Sequence, residues 1–170
     1  AGVASAAGVG QNDRPVVGRD RGAAGLVGGP GQEDALPDHG VVTLEGADAV
    51  AFAQAQFAND LHALEDGRWQ WNAWLTPKGR VIAVFAVLRL ATDRLVLVVP
   101  DVPAIELATA LKRFVFRRKL VVAVPADLHP LGLFAASTTA QGALLAQDEA
   151  VIAMDVGSAH QPRTLLLGRS

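Results

Sequence analysis

Three strand-length runs follow one another through the middle of this chain, and any fold must accommodate them. Arg68 to Leu75 carries Trp69 and Trp71 on one side and Trp74 on the other, and these are all the tryptophans present. Thr76-Pro77-Lys78-Gly79 then reads as a turn, because proline presets φ for an early turn position and glycine tolerates a positive φ. Residues 81–90 and 95–99 form a hairpin around Thr92-Asp93. The longest unbroken apolar run, residues 81–88, is far short of the roughly 20 residues that span a bilayer, and is expected to be a buried strand.

Helices flank this block. Residues 41–44 make a short strand, Gly46 punctuates it, and a helix is expected from about Ala47, with Val50, Ala53, Phe57, Leu61 and Leu64 as its inward stripe. Phe52, Gln56 and Asn59 would then share the opposite face, looking out to a ligand, to another domain, or simply to solvent. Asp101 is the expected N-cap of a second helix, with Pro103 in its first turn and Ala104, Leu107, Ala108, Leu111, Phe114 and Val115 as its apolar stripe. Residues 120–124 return as a strand. Short strands are expected at 131–134, 151–154 and 164–167, with helical material around 140–145. The order strand, helix, three strands, helix, strand, then a fresh strand series, indicates an α+β architecture.

Half of the 170 residues are apolar (51%), which suits one compact domain, alone or with a tail. The first 40 residues hold 10 of the 17 glycines and no aromatic residue, so residues 1–35 are expected to be a disordered tail. A phosphate loop at residues 25–31 would need a strand before it and a helix after it, and neither is evident. No targeting or membrane segment is read, so the cytoplasm is the expected location.

A net charge of −2 excludes a generally basic nucleic-acid coat, and the absence of cysteine excludes disulfides, thiolate metal sites and a cysteine nucleophile in these residues. His39, His62, His129 and His160 are scattered singly, with no metal-ligand spacing. Charge is nonetheless uneven. From Arg68 to Lys119 ten Lys or Arg stand against Asp93, Asp101 and Glu106, whereas residues 41–66 hold Glu45, Asp48, Asp60, Glu65 and Asp66 and no cation. The densest basic cluster is Lys112, Arg113, Arg117, Arg118 and Lys119. Its simpler reading is a solvated run complementing a helix C-terminus, which leaves direct nucleic-acid binding outside the expected partners. An anion site, for ligand carboxylates or RNA phosphates, is the alternative.

Four ordered segments carry a resemblance: Leu44-Glu45-Gly46-Ala47-Asp48-Ala49, Phe52-Ala53-Gln54-Ala55-Gln56-Phe57-Ala58-Asn59-Asp60, Leu75-Thr76-Pro77-Lys78-Gly79-Arg80, and Arg113-Phe114-Val115-Phe116-Arg117-Arg118-Lys119-Leu120. Over about residues 36–168 the chain resembles the amino-terminal half of the YgfZ group of folate-binding proteins, relatives of the glycine-cleavage T-protein aminomethyltransferase. The resemblance implies domains around a central cavity that holds tetrahydrofolate. Residues 36–127 would be the first domain and 128–170 the start of a second α+β domain. It also implies support of iron-sulfur enzymes, including those that thiolate tRNA, and so of tRNA modification. Carried over by position, His39, Gln56, Asn59, Asp60, Lys78, Arg80, Arg117 and Lys119 are the candidate folate contacts. No catalytic residue is implied. Where the aminomethyltransferases have a catalytic aspartate after the Lys78-Gly79-Arg80 turn, this chain has Val81, Ile82 and Ala83, so aminomethyl transfer is not expected. The Lys-Gly-Cys-Tyr-x-Gly-Gln-Glu signature of the YgfZ second half is absent. The alternatives are a folate-dependent one-carbon transferase and an inactive truncated fragment.

Overall fold

The computed structural model describes residues 33–170; the tail expected over residues 1–35 lies outside them except for its last three, and the loop at 25–31 lies wholly outside. In chain order the elements are β1 (Glu33–Ala35), β2 (Gly40–Glu45), α1 (Ala49–Gln56), β3 (Arg68–Leu75), β4 (Val81–Ala91), β5 (Arg94–Val99), α2 (Ala104–Lys112), β6 (Val121–Ala123), β7 (Leu128–Leu133), β8 (Ala146–Gln147), β9 (Val151–Asp155) and β10 (Thr164–Arg169). The strands form two five-stranded sheets, β3-β4-β5-β2-β6 and β1-β7-β10-β9-β8, in which every pairing is antiparallel.

The two helices cover one face of the first sheet and the second sheet covers the other. Alternation along β5 explains why Leu95-Val96-Leu97-Val98-Val99 is unbroken: Leu95, Leu97 and Val99 pack with Phe52, Leu107 and Leu111 beneath the helices, while Val96 and Val98 pack with Ile152, Met154 and Leu165 of the second sheet. A strand buried on both faces has no place for a polar residue. Two of the three tryptophans follow the same rule, Trp69 between the sheets and Trp74 under the helices, while Trp71 is half exposed.

Several expectations are corrected. The run at 81–88 is only half buried, because β4 outreaches β5: Val81, Ile82 and Val84 are exposed. The helical stripe extends past the helix. α1 stops at Gln56, where Phe57 turns extended and bridges to Trp74, and Leu61 and Leu64 are buried from an irregular segment. Within α1 the buried residues are Ala49, Phe52 and Ala53, so Phe52 faces inward, not outward with Gln56 and Asn59. The N-cap of α2 is Pro103 rather than Asp101, and no side chain caps it. No helix forms at 140–145. Those residues are recruited to the start of β3, where Trp69 N–H donates to the Ala143 carbonyl at 2.9 Å, Trp69 Nε1 donates to the Gly142 carbonyl at 2.9 Å and Leu145 N–H donates to the Gly67 carbonyl at 2.8 Å. Gly142, at φ 55°, makes the turn that allows it.

Candidate functional site

Asn59 and Asp60, chosen from the sequence as a polar pair, lie in a loop along the free edge of β3. Ala58 N–H donates to the Ala73 carbonyl at 2.9 Å, and the loop is then tied down by amides. The buried Asn72 accepts from Asn59 N–H and from Ala73 N–H through Oδ1, both at 2.8 Å, and donates through Nδ2 to the Asn59 carbonyl at 3.2 Å and to Gln70 Oε1 at 3.0 Å. Asn59 Nδ2 donates to the Trp71 carbonyl at 3.2 Å, and its Oδ1 accepts from Asp60 N–H at 3.0 Å. Gln70 Nε2 donates to the Asp60 carbonyl at 3.0 Å. Asp60 Oδ1 and Gln54 Oε1 accept main-chain N–H groups of residues 61 and 62. The Asn59 amide is thus engaged at both ends in fixing the loop, and Gln56, at the last turn of α1, takes no part. Gln54, Gln70 and Asn72 were not singled out from the sequence; their only signal was an amide among apolar and aromatic neighbours.

Lys78 and Arg80 sit on the β3–β4 turn. Gly79 adopts φ 82° and donates to the Thr76 carbonyl at 2.9 Å, while Arg80 N–H donates to Thr76 Oγ1 at 3.1 Å. With Thr76 and Pro77 the two cations line a shallow depression. Both are exposed, and among the described residues the ion pairs belong to Arg68, Arg89 and Arg94.

Arg117 and Lys119 belong to the segment that returns from α2 to β6. It is clasped to the start of α1: Asp48 N–H donates to the Lys119 carbonyl at 3.1 Å, Lys119 N–H donates to Asp48 Oδ2 at 2.7 Å, and Gly46, at φ 146°, packs against residues 119 and 120. His39, half-buried, precedes β2 and donates its N–H to the Leu36 carbonyl at 3.1 Å.

The eight candidates therefore fall into separate groups. Ala86 pairs with Val98 and Val98 with Val41, so along the strand direction Val81 lies five residues to one side of that row and Glu45 four residues to the other. At about 3.4 Å per residue the Lys78/Arg80 turn and the Lys119 clasp stand roughly 30 Å apart along the first sheet. No group of three or more His, Asp or Glu among the described residues could hold a metal ion.

No family model and no curated protein matches the sequence. Solved structures do. The glycine cleavage system aminomethyltransferase T from Bartonella henselae superposes with a TM-score of 0.70 at 14% identity, over 82% of this chain and 42% of that one. The two share a fold. This chain spans about two-fifths of the length of that aminomethyltransferase. A chain of the heterotetrameric sarcosine oxidase from Corynebacterium sp. U-96, in complex with pyrrole 2-carboxylate, gives a TM-score of 0.46 at 17% identity, over 86% of this chain and 80% of that one. Within this chain the motif segments meet one another. Gly46 and Asp48 of the first meet Lys119 of the fourth, and Phe57 of the second bridges to Trp74 just before the third. Among the described residues no helix is long and apolar enough to cross a membrane.

A folate joins a carboxylate tail to a flat heterocycle, and each end asks for a different surface. Lys78 and Arg80 suit the carboxylates of a glutamyl tail. A flat heterocycle needs a concave slot that covers most of its surface. Neither the depression at the turn nor the one on α2 along Ile105, Glu106, Thr109, Ala110 and Arg113 encloses such a ring.

Proposed function

We propose that this chain is the folate-binding half of a YgfZ-like protein that acts in the cytoplasm in support of iron-sulfur enzymes, among them those that thiolate tRNA, without itself transferring a one-carbon group. The observation that carries the reading is the agreement of two likenesses, one in ordered sequence motifs and one in fold, both of which point to the aminomethyltransferase relatives. Lys78 and Arg80 hold the tail carboxylates. Trp71, half exposed on β3, is the tryptophan best placed to sense a ligand, since Trp69 and Trp74 are buried. The residues that follow the turn, Val81, Ile82 and Ala83, offer no side chain that could accept or donate a proton, which separates this reading from a transferase.

Titration of the 170-residue chain with 5-formyltetrahydrofolate, followed by tryptophan fluorescence corrected for ligand absorbance, tests the reading. Saturable quenching is expected, with an affinity about tenfold lower in Lys78→Ala with Arg80→Ala, a difference that shrinks as salt rises. Arg117→Ala has the smaller effect, because Arg117 lies toward the Lys119 clasp, while only Phe114, at the start of that segment, reaches Trp74 beside the turn. Absence of any saturable change in a chain shown by circular dichroism to be folded overturns the assignment of the site to these residues. The cellular half of the proposal is read in the thiolated nucleosides of tRNA, which fall when the protein is removed and recover when it is restored.

A further inference from the structure

The sequence leaves the basic cluster to the field of a helix C-terminus, and the structure removes that explanation for most of it. α2 ends at Lys112 with Arg113 as its cap. A helix's end charge is felt within its last turn, and Arg117, Arg118 and Lys119 lie beyond it. All five cations are exposed, and among the described residues none of the ion pairs includes them.

Phe116 stands in the middle of this segment, 87% exposed and at φ 48°. Among the described residues it is the one non-glycine residue with a positive φ, a conformation that disfavours a bulky side chain. The turn around it is closed by Arg118 N–H donating to the Val115 carbonyl at 3.0 Å. Glycine would make that turn without strain. Here the turn holds up an aromatic ring left almost wholly exposed. Phe114, two residues earlier, anchors the loop, its ring edge-on to Trp74 at 5.5 Å. The depression along Ile105, Thr109 and Arg113 runs to the foot of the same loop.

We propose that residues 113–119 bind single-stranded nucleic acid, with Phe116 stacking on a base and the surrounding arginine and lysine groups holding phosphates. An exposed ring with cations on either side is the pairing such strands require: every base offers a π-face, and the backbone offers a charge at each step. A small carboxylate ligand would use the cations and leave the ring idle. A lipid surface calls for several apolar side chains entering together, whereas Phe114 is held against Trp74 and leaves one ring free.

The proposal is independent of the folate reading and is tested by fluorescence anisotropy of a fluorescein-labelled 12-nucleotide oligouridylate. Saturable binding is expected at low salt. The slope of log affinity against log salt should correspond to three or four phosphates, roughly −2 to −3. Phe116→Gly relieves the backbone while deleting the ring, so the melting temperature holds or rises while affinity falls about tenfold. Arg117→Ala with Arg118→Ala lowers the magnitude of the salt slope by about 1.4, and Lys78→Ala with Arg80→Ala leaves it unchanged. No binding at low salt, an affinity indifferent to Phe116→Gly, or stronger attachment to phosphatidylserine vesicles than to the oligonucleotide each overturns it, the last in favour of a lipid surface.

Discussion

Asn72 shows how much of this molecule depends on single polar contacts. Its carbonyl oxygen accepts two main-chain N–H groups and its amide secures the loop that carries Asn59 and Asp60. Asn72→Ala leaves those partly buried groups without their partner, a loss of about 1–2 kcal/mol, to be measured as the shift of a urea unfolding curve at constant slope. Gly46→Ala is expected to be at least as damaging, for a different reason: its β-carbon would overlap the Lys119 carbonyl, and φ 146° is a glycine conformation. A loss of roughly 2–4 kcal/mol, also read from urea unfolding, follows from clash and strain together. At this scale the sequence was partly legible. Asn59 and Asp60 stand out in it as a polar pair, but residue types and spacing do not tell that the Asn59 amide is committed to the loop, nor that its partner is an asparagine inside the tryptophan strand. That pairing is a fact of tertiary structure, between residues 13 positions apart.

Elements defined by period 2 were readable and those defined by helical spacing less so. The β3–β4–β5 meander and both of its turns are where the tryptophan alternation of β3, the apolar runs of β4 and β5, and the Thr76-Pro77-Lys78-Gly79 and Thr92-Asp93 turns place them. α1 is only eight residues of alanine, glutamine, valine and phenylalanine, with apolar groups nearly all round, so its inward face cannot be told from spacing. The bridge from Phe57 to Trp74 ends it, and Phe52 becomes the buried residue. Phe52→Ala is therefore expected to cost about 3–5 kcal/mol, and Ala55→Ser, on the exposed side of the same helix, almost nothing. Equal effects of the two in urea unfolding would show the face to be misassigned. Residues 140–145 failed for a related reason: helical composition lost to three hydrogen bonds with residues 67 and 69.

The first sheet is a shared wall. Helices cover one face, the second sheet covers the other, and Leu88, Val96 and Val98 meet Ile152, Met154 and Leu165 in one core between the sheets. The resemblance implies a division between residues 127 and 128, and β1 (Glu33–Ala35), ahead of that point, pairs with β7 (Leu128–Leu133), beyond it. Two units joined by a core of this kind unfold together unless their contact is weak beside their own cohesion. All three tryptophans lie on β3, in the first sheet; Trp74, under the helices, reports on that sheet, and Trp69, between the sheets, reports on the seam as well. Met154 is fully buried on β9, in the other. Met154→Ala is expected to destabilise the chain by about 2–4 kcal/mol and to lower the tryptophan fluorescence midpoint in urea by the same amount as the circular dichroism midpoint. A fluorescence transition that stays in place while the dichroism transition moves would mean that the two sheets fold as separate units, and that the first can be studied, with its turn and its basic loop, without the second.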